Sequence, residues 1–255
     1  MAYRYDPDLE FLGEMTSKDL TDLVDALTKD KNGENLWTEE LTVNASYKVH
    51  YPNHAKYWQL IAAELQCFGA NSLMTIFRGG KGVLYREILA DVANKAGAKN
   101  IERSDKALDI EDKILSKLLG DAIDKMTESE RNEFAKLVGA TNLKNFTPAA
   151  LTGAAQIIFK SGGFKSFQLT LMVANAVSRA LFGRGLALAG NAALMRTAAV
   201  LTGPVGWALT GAWTAVDIAG PAFRVTLPAV IQVALLRKKH QAERDGLLEE
   251  INSII

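Results

Sequence analysis

A chain of 255 residues that is 48% apolar, with 29 basic and 29 acidic side chains, holds enough material for a packed core and lacks the bias of a disordered protein. The neutral total conceals a division. Up to Thr147 there are 19 Lys and Arg against 24 Asp and Glu, and after it 10 against 5, so the two parts carry opposite charge and suggest regions 1–147 and 148–255.

Cys67, the lone cysteine, excludes an intrachain disulfide and a cysteine-built metal site. Six dispersed cations between Ala149 and Leu236 do not make the dense basic stripe of a nucleic-acid groove, so no nucleic acid is expected as a partner. The charged start, MAYRYDPDLEFL, reads as neither a secretory leader nor a transit peptide, and a cytoplasmic location is expected.

Helical spacing runs through the whole chain and predicts an all-α, multi-helix bundle. Leu20, Leu23, Val24 and Leu27 share one face of a first helix, with Thr16 or Ser17 as its cap. A second helix is expected from an Asn53 cap to Gly69. Two shorter ones, ANSLMTIFR and VLYREILADVANKAG, flank the GGKG turn. Ile110, Ile114, Leu118 and Ala122 then form an amphipathic stripe, and Thr127 with Glu130 has the spacing of a capping box. Thr147 is the expected cap of the next helix, with Pro148 at its first position and Gly162 at its exit.

From Gly163 onward the polar faces fade, predicting an Ala/Gly-rich apolar block against which the amphipathic helices pack. Ala208, Ala212, Ala215 and Ala219, with Gly211, form a seam of small residues that lets helices approach closely in water or in lipid. The last helix contains Pro228, where a kink or restart is expected, and its tail returns to amphipathic spacing at Leu247, Leu248, Ile251 and Ile255.

The residues YWQLIAAELQCFGANSLMTIFRGGKGVLYREILADV, YRYDPDLEFL before them and GPVGWALTGAWTAVDIAGPAFRVTLPAVIQVALLR after them resemble the YaaW family of bacterial proteins. Members are often described as similar to the ubiquinol-cytochrome c chaperone over the region corresponding to about residues 20–140. The resemblance implies a helical bacterial protein with no enzymatic activity, cofactor or site residues to carry over.

Motifs for chemistry are few. FRGGKGVLYREI lacks the strand before and the Ser/Thr after Lys81 that a phosphate-binding P-loop needs, so its glycines read as a tight turn. Arg78, Gly79, Gly80 and Lys81 keep an anion-binding turn as a minor reading. His50 and His54 have the spacing of a zinc pair, but Pro52 interrupts it and no third ligand is at hand, so no metal is expected. Cys67 reads as a small packed side chain. An enzyme would need a polar pocket from Glu64, Arg78, Tyr85 and Arg86, and no catalytic residue or cofactor is expected.

Two modes of interaction remain. In the first, the C-terminal region is amphitropic: Trp207, Gly211, Trp213, Asp217, Arg224 and the run Arg237, Lys238 and Lys239 form an oligomer interface or meet an anionic membrane, on the inner face of the cytoplasmic membrane. In the second, a soluble assembly factor holds another polypeptide in a helical groove. Alanine and glycine provide the apolarity of Ala198 to Val216, which favours helix-to-helix contact over lipid. Asp217 and Arg224, seven apart, read as an ion pair fixing two helices.

Overall fold

The computed structural model describes residues 2–37, 39–69, 82–102, 104–140, 146–187, 210 and 223–254. Among them are nine α-helices and no strand beyond an isolated bridge between Lys29 and Asn35. The helices are α1 (Ser17–Thr28), α2 (Ala45–His50), α3 (Trp58–Gly69), α4 (Tyr85–Lys95), α5 (Ala107–Lys125), α6 (Glu128–Leu137), α7 (Pro148–Ser161), α8 (Gly163–Phe182) and α9 (Phe223–Ile254). The protein is all-α, as the periodicity requires.

Local chemistry sets most helix ends. Thr16 and Asp19 form a reciprocal capping box on α1, and Thr127 and Glu130 form another on α6. Thr147 accepts the Ala150 amide at the start of α7. Asn53 departs from expectation, because it caps no helix with its side chain and instead accepts a hydrogen bond from the Ser17 hydroxyl at 2.6 Å. A short 3₁₀ turn, His54–Tyr57, intervenes before α3. The start of α4 has no local cap either; Asp6, from the distant N-terminal segment, accepts the Tyr85 amide at 2.6 Å.

Helix α9 is the centre of the bundle. Every residue from Val225 to Leu236 is buried, and the helix packs on α8, α1, α4, α3 and α5. A helix apolar on all sides is stable in water only when other helices surround it. It also runs through Pro228 without a restart. Proline removes the bond to the Arg224 carbonyl, and Arg224 is exposed in the first turn, where water can replace the lost donor.

The N-terminal segment straps α3 to α4. The Gln66 amide exchanges two hydrogen bonds with the Arg4 backbone, and the Val83 amide donates to the Gln66 carbonyl. At Gly82 the chain passes so close to α3 that a Cβ would lie 2.5 Å from Gln66 Cβ and 2.7 Å from its carbonyl carbon. Backbone cannot yield as a side chain can, so Gly82→Ala is expected to cost roughly 1–3 kcal/mol, read as a lower denaturation midpoint.

Candidate functional site

An open groove of about 970 Å³ runs along α5. Its floor includes Asp112, Ser116 and Gly120, one wall is α7 through Ala149, Thr152, Gly153, Gln156 and Lys160, and the other is the turn Gly97–Asn100. Antiparallel packing sets α5 against α7: a Cβ at Gly120 would stand 3.3 Å from Thr152 Cγ2. Ion pairs brace the α5 face, with Lys113 2.6 Å from Asp105 and Lys117 2.5 Å from Asp121. Lys113 also donates to the Asn100 carbonyl, which fixes the far wall.

Beneath this floor lies a polar hub built from three consecutive residues of α9. Arg237 grips Glu111 through Nε at 3.0 and 3.1 Å and donates from Nη2 to the Asp8 carbonyl at 2.6 Å, while its guanidinium lies 4.5 Å from the Phe11 ring centre. Lys238 Nζ stands 2.7 Å from Asp112 Oδ1 and donates to the Phe159 carbonyl at 3.0 Å. Lys239 lies 2.9 Å from both Asp19 and Glu243. His240 follows, 2.9 Å from Glu14. Successive helical residues point about 100° apart, so the cations diverge to α5, to the α5–α7 junction and to α1.

Burial governs the electrostatics. It pushes the Glu111 carboxyl up from its ordinary value, against Arg237 and the Tyr85 hydroxyl, which donates to it at 2.9 Å. Burial works to lower Arg237, but Glu111 beside it holds the guanidinium above its ordinary value, so it stays charged. Desolvation raises Asp112 to about 6 in spite of Lys238. Burial also lifts Glu64 to about 7, opposed by the Glu40 amide that donates to its carboxylate.

Arg237, Lys238 and Lys239, read from the sequence as suited to anionic headgroups, are thus committed to carboxylates of this chain. Arg224 is exposed. Trp207, Gly211, Trp213 and Asp217, and Arg78, Gly79, Gly80 and Lys81, lie outside the described residues. Glu64, Tyr85 and Arg86 each meet a different partner: the Glu40 amide, Glu111 and Asp8. His50 is exposed while His54 is buried 2.5 Å from the Tyr57 hydroxyl, and no cluster of three metal-binding side chains occurs among the described residues. Burial raises the half-buried Cys67 thiol, and no described helix is long and apolar enough to cross a membrane. Sequence reading missed Glu111 and Asp112, although two acids between Ile110 and Ile114, on a stripe destined for the core, were a visible signal.

The whole chain aligns with a UPF0174 protein of Helicobacter pylori strain J99, 48% identical over 255 residues and all of both chains. The chain belongs to the UPF0174 family. A second UPF0174 protein of that strain is 42% identical over 80% of this chain and 99% of its own, and the UPF0174 protein YaaW of Escherichia coli K12 is 34% identical over 92% and 95%. Residues 53–231 match the family model described as ubiquinol-cytochrome C chaperone, and residues 3–37 match a domain of unknown function, DUF3944. No solved structure matches. For UPF0174, the chaperone match takes in α3 to α8 and hence every groove wall, while the DUF3944 match takes in the N-terminal strap and α1.

Lys238→Met leaves Asp112 without its cation in a largely buried site, and a loss of about 3 kcal/mol is expected. Adding Asp112→Asn should restore part of it in a denaturant titration. Glu64 carries the opposite kind of cost. Its folded pKa of about 7 exceeds the ordinary 4.5, so the unfolded chain ionises first and stability falls as pH rises through that window. Over those pH units the loss approaches about 3 kcal/mol. Glu64→Gln, which retains an acceptor for the Glu40 amide, is expected to melt with the parent near pH 4 and above it at pH 8.

Proposed function

We propose that this chain is a non-enzymatic, chaperone-like protein that receives a helical segment of another polypeptide in the groove over α5. The carrying observation is Gly153. It sits inside α7, where glycine costs about 1 kcal/mol relative to alanine, and a Cβ there would meet nothing within 4 Å. Among the described residues, none packs into the space. A glycine facing an open groove serves the close approach of a second backbone.

The dimensions agree with such an occupant. Asp109 to Asp124 spans about 22 Å of helix axis, enough for some four turns of a docked helix. Lys160 and Asp124 line opposite ends of the groove and have no ion-pair partner among the described residues. They favour a client helix that carries an acidic and a basic side chain about three turns apart. The family model described as a chaperone, which takes in all the groove walls, supports the same reading.

Gly153→Leu fills the groove while improving helix propensity, so the fold should melt at or above the parent temperature. Light scattering from a heat-unfolded helical client is the test. The parent protein is expected to suppress aggregation, and the variant to need roughly tenfold more protein for the same effect. Equal suppression by both excludes the groove, and no suppression by the parent removes the chaperone reading.

A further inference from the structure

The elbow between α7 and α8 has a chemistry that the hub does not use and that shares Lys160 alone with the groove lining. Gly162 and Gly163 both adopt positive φ, 69° and 66°, and turn the chain between two long helices with no intervening loop. A Cβ on either would meet nothing within 4 Å, so the turn forms an unobstructed apex. Ile157 and Phe164 flank it with 67% and 55% of their surface exposed. Lys160 and Lys165 are exposed beside them and have no ion-pair partner among the described residues. From Phe146 to Ala187 the chain contains no Asp or Glu.

We propose that this elbow docks on an anionic lipid surface, with Phe164 and Ile157 entering the headgroup region and Lys160 and Lys165 meeting lipid phosphates. An exposed aromatic, a branched aliphatic and two cations on a convex apex suit a planar, negatively charged, partly apolar surface. A protein partner would need a complementary concavity, and the charge of the stretch is of one sign, as a membrane rewards. The residues differ from the Arg237 to Lys239 run, whose charges are satisfied within the chain.

Co-sedimentation of the full chain with phosphatidylglycerol-containing vesicles and with pure phosphatidylcholine vesicles, at low ionic strength, tests the proposal. The parent is expected to pellet with the anionic vesicles only. Lys160→Gln with Lys165→Gln should weaken partitioning by roughly fivefold per lysine. Ile157→Ser with Phe164→Ser should weaken it by at least tenfold, with melting temperature unchanged because both side chains are exposed. Failure of the parent to bind, equal binding to neutral vesicles, or undiminished binding by either double variant overturns it. So does self-association through the elbow without vesicle binding. Gly153→Leu should bind vesicles as the parent does, which separates this surface from the groove.

Discussion

The architecture depends on neutralising three adjacent cations at the point where the central helix leaves the core. Helix α9 is surrounded by other helices up to Leu236, and the next residues are Arg237, Lys238 and Lys239, largely withdrawn from water. A buried charge without a partner costs several kcal/mol, whereas a paired one contributes little net stability. Because the three side chains leave the helix in three directions, only carboxylates on three sides can meet them. Glu111, Asp112 and Asp19 do so, and they set the rotation of α9 about its own axis. Apolar packing alone is less exacting, since a helix greasy on every face can turn without exposing much.

This arrangement gives the opposite charges of the two chain regions a local meaning. Arg184 reaches Asp25, Arg237 reaches Glu111, Lys238 reaches Asp112 and Lys239 reaches Asp19. Each contact joins a basic residue from beyond Thr147 to an acidic one before it. The groove shares this dependence, because Asp112 belongs both to its floor and to the Lys238 pair. Whatever lies in the groove therefore rests on a surface tensioned from beneath by the last helix.

Helix existence and several caps were legible because their causes are local. Thr127 and Glu130 interact across three residues, and the stripe Ile110, Ile114, Leu118 and Ala122 repeats within one helix; a short window contains the whole interaction. The hub was not legible in that way. Arg237 to Lys239 look like a solvated run, since the buried acids they meet, Glu111, Asp112 and Asp19, are more than a hundred residues away and sequence order is silent about which acids will be buried. Pro228 brings no restart for a related reason: its penalty depends on whether water reaches the Arg224 carbonyl, which is a property of the assembled surface. Gly153 could be counted in the sequence, but the emptiness beside it appears only once α5 and the Gly97 turn are in place.

The position of α9 in the chain has a consequence for biosynthesis. The helix that fills the centre follows every described helix that packs on it, so those made earlier emerge from the ribosome around a missing axis. Until Lys238 is available, the Phe159 carbonyl and the carboxylates at 111 and 112 face a hollow and must remain hydrated. Burial of those groups in their final pairings therefore cannot be completed before residues 237 and 238 have been made.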